Sequence, residues 1–525
     1  MQNAYCRTNR QQQGLPGLGR ARRQRYSLNR TGTERGKLTD CLCGVTVLPL
    51  PRLSLSLSRL TIPVPAALLS ALLGGCAALA PAPAPEFSSY VVLGENGRAV
   101  ARVLIDAPAC PPLQIDQHSV AMSVRSRPAS LPLRPTVSPI ADSKPSVFPM
   151  LTCEAELPAS ASYTSASVLG RQLPRPAAAP QRIVVLGDTG CRLADHAQSY
   201  QACNDQDAYP FARIAAAAAA WKPDLVIHVG DYHYRENACP AGNAGCAGSP
   251  WGYGWDAWQA DFFTPGAALL QAAPWIMARG NHENCARAGQ GYWRWLDPRP
   301  LLPQRDCDDP ANDKLGNYSA PYAVPIGQDT QLLVIDSAST SWRGFKPGDT
   351  GWDMYRDSYR RLAELAAQAP RNLGIVHHPM LAMGADRKGD GPIQLLKGDA
   401  GLLQSFGSLN PLYLPENIQT MLSGHVHLWE QMSFSSPHPS QFVSGFSGTA
   451  EDIVPLPVQL PQGVTPAPGA VVEAYSHWID GFGFMTMERQ GPDQWLVLIH
   501  DLHGQVRNRC QINGRHSRCE HDQVK

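Results

Sequence analysis

RIVVLGDTG at 182–190 and DLVIHVGDYHY at 224–234 decide how this chain folds. Each is a short, unbroken apolar run that halts at Gly-Asp. Such a run is too short for a helix and reads as a strand buried on both faces. Between them FARIAAAAAAW (211–221) has helical composition, and WQADFFTPGAALLQ (258–271) and WIMARG (275–280) repeat the alternation of helix and apolar strand. That alternation predicts an α/β fold with buried strands. Further strands are expected at QLLVIDS (331–337), NLGIVHH (372–378), IQTMLSG (418–424), GFGFMTME (481–488) and WLVLIHD (495–501), with a helix at YRDSYRRLAELAAQ (355–368). No internal repeat is visible.

Five of these strands run into polar clusters: GDTG (187–190), GDYHY (230–234), GNHE (280–283), HHP (377–379) and GHVH (424–427). In α/β sheets ligands gather at the carboxyl ends of strands, where loops bring distant side chains together. Taken singly each cluster is weak, since a lone Gly-Asp is usually a turn and a lone histidine at a strand end is usually structural. Turns have no reason, however, to choose Asp, Asp, Asn, His and His-x-His in succession, and the ordered set points to metal binding. A glycine before four of the clusters lets the backbone leave the sheet sharply, so that the next side chain faces the site. Two cations about 3.5–4 Å apart suit an anionic ester attacked by an anion, because they neutralise both and generate hydroxide near neutral pH. A bridging carboxylate holds that spacing, while imidazoles and an amide oxygen complete the shells without excess negative charge.

The set resembles the calcineurin-like metallophosphoesterase superfamily over about residues 181–505, and more narrowly its purple acid phosphatase branch. The resemblance implies a four-layer α/β/β/α sandwich around two metal ions that hydrolyses phosphoesters. Tyr234 carries the narrowing. Many members place a histidine ligand two positions after the first aspartate, whereas Asp188 is followed by Thr189 and Gly190. Tyr234, three residues after Asp231, is similar to the branch's compensating tyrosine, a hard anionic donor suited to Fe(III). The alternative is that Tyr234 is a pocket aromatic beside Tyr232.

Carried over residue by residue, the resemblance makes Asp188, Tyr234 and His427 ligands of an iron, with Asp231 bridging to a divalent metal (Fe, Zn or Mn) held by Asn281, His377 and His425. Pro379 sets the register that favours His377 over His378, which stands behind the ligands or simply packs. His282 takes the place of a histidine that contacts phosphate and assists the leaving oxygen, which makes His282, Asp231 and His378 the candidate catalytic residues. Glu283 either orients His282 or is an exposed turn carboxylate. One departure concerns the stretch past Pro379, where a further histidine is common in the branch and this chain has Asp386, Arg387 and Lys388. That stretch reads as a solvated loop, or as a phosphate contact. The insert CPAGNAGCAGSPWGYGWDAW (239–258) offers Trp251, Tyr253 and Trp255 as an aromatic wall beside the metals, although buried packing explains them equally well.

The rest of the chain sets the context. With 525 residues, 43% hydrophobic and 17% charged, it has enough apolar content for a large core. Residues 1–60 carry eleven Lys and Arg against Glu34 and Asp40, a local +9 within a net charge of +1, so the remainder is −8 and a nucleic-acid-binding role is disfavoured. The basic stretch leads into the apolar SRLTIPVPAALLSALLGGC, which reads as a signal peptide over 1–76. Its end resembles a bacterial lipobox with Cys76 as the lipidated residue, so an exported, periplasmic or outer-membrane-associated lipoprotein is expected. A Pro-Ala tether (77–87), a small β domain (88–176), the metallophosphoesterase-like domain (177–505) and a tail (506–525) follow. The ten cysteines beyond Cys76 suit an oxidising compartment, and pairing neighbours in order gives five short loops. Phosphomonoesters are the first expected substrates, and phosphodiesters are the alternative within the same chemistry. A retired, lipid-anchored binding module is a third reading, disfavoured because the ligand set is intact.

Overall fold

The computed structural model describes residues 86–520 except 388, 451–453, 455 and 479–480. The leader, Cys76, most of the tether, Lys388 and the last five residues therefore lie outside the described residues. No helix among those described is long and apolar enough to cross a membrane.

Six strands carry the site. β1 (Arg182–Leu186), β2 (Leu225–His228) and β3 (Trp275–Met277) lie side by side and parallel in an eleven-stranded sheet. β4 (Thr330–Ile335), β5 (Arg371–Val376) and β6 (Ile418–Ser423) do the same in a seven-stranded one. Because side chains alternate faces along a strand, each strand feeds two cores. Ile183, Val185, Leu332 and Val334 meet in a core shared by both sheets. Val184 and Leu186 face outward into an aromatic-rich core with helix α1 (Phe211–Ala220), whereas Leu333 and Ile335 pack with α2 (Thr350–Ala366) on the far side of the second sheet. Tyr355, Tyr359, Leu362 and Ala366 recur at helical spacing along the buried face of α2. The order of layers is thus helix, sheet, sheet, helix. Both triplets of parallel strands end at the same side of the molecule, where the polar clusters begin.

The segment expected as a small β domain contributes strands to the large sheet. Phe87–Leu93 pairs in parallel with β3 at Val92 and Trp275, and Ala99–Ile105, Leu151–Glu156 and Ser123–Ser126 continue the sheet beyond it. The same segment also has a four-stranded sheet of its own. At the opposite edge, Val506–Asn513 and His516–Cys519 form a hairpin continuing from Gln494–Asp501, so the stretch expected as a tail is sheet at least to Cys519. Boundaries at 177 and 505 therefore do not coincide with sheet boundaries; apolar alternation marks strands but not their partners.

The cysteines pair as neighbours: Cys110–Cys153, Cys191–Cys203, Cys239–Cys246, Cys285–Cys307 and Cys510–Cys519. Tyr253 and Trp255 of the 239–258 insert are buried in the outer aromatic core, where Trp255 packs edge-on to Trp295. Trp251 sits under the Lys144 ammonium. None of the three lines the cavity described below, so the reading of this insert as an aromatic wall is corrected in favour of packing.

Candidate active site

Three of the residues expected as ligands stand on unusual backbone. Asp188 (φ 56°), Asp231 (φ 59°) and His425 (φ 72°) all occupy the left-handed region. For non-glycine residues this costs of order 1–3 kcal/mol each and persists only when the surroundings enforce it. Gly230 takes φ 109°, as only glycine comfortably can. Gly280 and Gly424 serve differently: a Cβ at these positions would meet carboxylate oxygens of Asp231 and Asp188 at 2.1 and 2.4 Å. They are small so that the acids can come close.

Around these turns the side-chain donors converge. The Tyr234 hydroxyl lies 2.8 Å from Asp188 Oδ1, 3.0 Å from Asp231 Oδ2 and 2.9 Å from His427 Nε2. His427 Nε2 is in turn 3.2 Å from Asp188 Oδ1. The same Asp231 Oδ2 is 3.0 Å from His377 Nε2, which is 3.2 Å from Asn281 Oδ1, and that oxygen is 3.0 Å from His425 Nδ1. One carboxylate oxygen thus joins two groups of donors, Asp188, Tyr234 and His427 on one side and Asn281, His377 and His425 on the other. All seven residues expected as metal ligands are gathered here. Tyr232, by contrast, turns into the core, stacks on His228 and donates to the Ala278 carbonyl, so the two tyrosines have separate places.

Ring orientation is fixed from behind. His377 Nδ1 is 2.9 Å from the Val229 carbonyl and His427 Nδ1 is 2.8 Å from that of Ala450. A carbonyl can only accept, so His377 Nδ1 carries a proton there; His427 Nδ1 lies equally 2.8 Å from Arg192 Nη2, which can only donate, so its two neighbours hold the ring without fixing its proton. His378 Nδ1 lies 2.9 Å from Ser337 Oγ, and its ring packs 4.2 Å from that of His425. With His377 and His425 it forms a second cluster close enough to share an ion.

Glu283 is neither exposed nor aimed at His282. It is buried and accepts from the backbone N–H groups of Gly280, Asp231, Tyr232 and His233, which staples the second cluster to the third. Burial and then Asp231 raise its pKa to about 8. His282 is positioned by Glu236, whose Oε1 lies 3.1 Å from His282 Nδ1 and 3.4 Å from Arg287 Nε. His282 Nε2 faces Asp231 Oδ2 at 4.0 Å. Burial, then Arg287, hold the His282 pKa down to about 4, against the pull of Asp231 and Glu236.

A cavity of about 310 Å³ opens over Asn281, His282, His378 and His425, and Arg192 and Trp342 also line it. The sequence reading did not single out Arg192, Glu236, Arg287 or Trp342. Arg192 follows Asp188 by four residues and Trp342 lies in the loop after β4; nothing in either stretch distinguishes them before the chain is folded. Arg387 is exposed and, like Asp386, does not line the cavity.

Residues 181–428 match the calcineurin-like phosphoesterase family model. No curated protein matches the chain. Among solved structures it is similar to the purple acid phosphatase PPD1 of yellow lupin (Lupinus luteus) seeds, with 14% identity and a TM-score of 0.47 over 84% of this chain and 74% of that one. It is also similar to PhoD, with 10% identity and a TM-score of 0.43 over 83% and 91%. A dimetal phosphatase from Danio rerio gives 12% identity and a TM-score of 0.32 over 62% and 97%.

The family implies a dinuclear metal centre, and the residues present suit one. Asp188 and Asp231 are 0% and 1% exposed, and neither forms an ion pair with Lys or Arg among the described residues. Buried carboxylates without compensating charge cost several kcal/mol each. Among the described residues their partners are imidazoles, the Tyr234 hydroxyl and backbone N–H groups, and Asp231, Asp188 and Glu283 overcome burial to raise the His377 pKa to about 9. A site that forces a proton onto a buried histidine is one that calls for cations, and its oxygen and nitrogen donors suit first-row metals. Residues 181–428 thus make up a calcineurin-like phosphoesterase domain, and the protein that carries it is a hydrolytic metallophosphoesterase.

Proposed function

We propose that the chain is an exported phosphomonoesterase of the purple acid phosphatase kind, with Fe(III) held by Asp188, Tyr234, His427 and the bridging Asp231. Asn281, His377 and His425 would hold a divalent Fe, Zn or Mn. The observation that carries this reading is the position of the Tyr234 hydroxyl among Asp188, Asp231 and His427. Burial, then Asp188 and Asp231, push its pKa well above that of an ordinary phenol. A phenolate there would be a hard, anionic oxygen donor, which suits Fe(III).

When bound, the two cations would neutralise the phosphoryl oxygens and supply hydroxide near neutral pH. The chain's own groups do the rest. Arg192 lines the cavity, stands 5.4 Å over the Tyr234 ring and has no carboxylate partner among the described residues, so its charge is available to a phosphoryl dianion. That surplus favours monoesters over diesters, which carry one charge less. His282, held from behind by Glu236, presents Nε2 to the leaving oxygen and can donate a proton there in acid. His378, anchored on Ser337, closes the side of the cavity next to His425. The five disulfides support export into an oxidising compartment, and a lipid tether at Cys76 is part of the same proposal. Residues 88–176 brace the site: their strand beside β3 supports the loop bearing Asn281, and Val137 donates its N–H to Ala286 at the cavity rim.

The test is the visible spectrum of the purified, oxidised protein together with metal analysis, repeated on Tyr234→Phe. A charge-transfer band present in the wild type and lost in the variant is the expected result. A colourless protein holding two Zn or Mn ions would overturn the iron assignment and move phosphodiesters to the front.

A further inference from the structure

Among the described residues Trp342 is the one Trp, Tyr or Phe more than a third exposed, at 41%, and it is exposed into the cavity over the donors. The loop that carries it is not slack. It leaves β4 at Asp336 and is pinned by Ser337 to His378 (2.9 Å), by Thr340 Oγ1 donating to the buried carboxylate of Asp399 (2.7 Å), and by the Phe345 N–H donating to Gln404 Oε1 (2.8 Å). Ser339 donates its N–H to the Tyr355 hydroxyl at 3.2 Å, which ties the same loop to α2. A firmly anchored loop that leaves its single indole 41% exposed, with the Arg343 guanidinium over the ring, forgoes part of the burial an aromatic normally gains. Phe345, three residues along, shows that the loop can tuck an aromatic away, since its ring packs against that of Tyr355.

The neighbouring groups bear on what the indole faces. Ser339, Thr340, Asn284 and Asn317 add uncharged polar atoms to a lining that also holds Arg192, Arg287 and Asp399, and the Arg343 guanidinium stands 4.7 Å from the Trp342 ring centroid. A cavity of about 310 Å³ is at the small end of ligand sites, roughly 300–1,000 Å³. It admits a phosphoryl group and a ring or two, not a polymer.

We propose that Trp342 is the wall of a leaving-group subsite and that the preferred substrates are phosphoesters of flat aromatic alcohols, stacked on the indole while the phosphoryl group lies at the metal-site donors. This deepens the proposed function and rests on the reading that the site hydrolyses phosphoesters. Binding is where the gain appears, because the ring is held equally before and during cleavage, so KM carries the effect and kcat does not.

The experiment compares p-nitrophenyl phosphate with glycerol 2-phosphate on the metal-loaded wild type, Trp342→Ala and Trp342→Phe. Ratios between variants cancel the different intrinsic reactivities of the two esters. In Trp342→Ala, KM for the aryl ester is expected to rise about tenfold with kcat kept, while the alkyl ester changes by less than about twofold; Trp342→Phe restores most of the loss. Equal effects on both esters, or no effect on either, would overturn the subsite and leave the phosphoesterase reading standing. A wild type inactive on both esters overturns that reading, and the subsite with it.

Discussion

The floor of the cavity and its walls are built on different principles. The floor residues Asp188, Asp231 and Asn281 stand within four residues of a strand end, on turns stapled by buried carboxylates. Glu283 takes four backbone N–H groups, and Asp261 takes those of Cys191, Tyr234 and Arg235 while pairing with the Arg235 guanidinium. Nothing there can move without breaking several hydrogen bonds at once. The walls come from longer loops, and their two conspicuous members, Arg192 and Trp342, are partly exposed and end in side chains with several rotatable bonds or an open face. A rigid floor suits metal geometry, where an error of half an ångström matters, while the wall side chains that reach into the cavity face whatever the phosphoryl group carries. In such a site the reaction is set at the floor and the choice of substrate at the walls.

This division can be broken or sharpened by mutation. The largest effect is expected at Asp231, whose single Oδ2 joins the two donor groups. Asp231→Asn removes a buried charge that both metals would share, and should lower kcat by about 10³-fold or more together with loss of one metal by elemental analysis. Retention of both metals with near-normal kcat would place the bridge elsewhere. A smaller effect is expected at His282, which belongs to the floor by position but is proposed to act on the leaving group. His282→Asn should cost about 10²-fold in kcat on a poor alkyl leaving group. Because its pKa is held down to about 4, the imidazole carries the proton it donates only in acid. The gap between wild type and variant should therefore be widest at low pH and narrow as pH rises above that value, which a pair of pH–rate profiles would reveal. The smallest effect belongs to the wall: Arg192→Ala should raise KM for a monoester about tenfold and lower the monoester-to-diester ratio of kcat/KM. An unchanged ratio would remove Arg192 from the phosphate and leave the choice of ester to other residues.

The floor was legible in the amino-acid sequence because its chemistry is local. Asp188, Asp231, Asn281, His377, His425 and His427 each follow an apolar strand within a few residues, so their type and order survive as a pattern without knowledge of the fold. Tyr234 was legible only as the substitute for a missing histidine. Glu236, Arg192 and Trp342 were not legible, since each acquires its role by meeting a residue distant in the chain: Glu236 meets His282, Arg192 meets His427, and Trp342 enters a cavity floored by three other loops. The same reasoning covers the fold. Neighbouring cysteines paired as sequence proximity suggests, and the parallel strands stand where the apolar runs are. Which strand lies beside which could not be read, so residues 88–176 looked separate.

The pairing of Phe87–Leu93 with β3 has a practical corollary. A chain started at residue 177 would keep all seven donors and look complete by its family match, yet it would unpair β3 at Trp275 and strip the cover that Tyr90, Val91 and Val92 give the two apolar cores on either face of the sheet. Apolar surface uncovered in this way is prone to association with a second copy. Trimming the enzyme to its recognisable part would therefore be expected to yield aggregate, since the strand that protects β3 lies about ninety residues upstream of where the recognisable part begins.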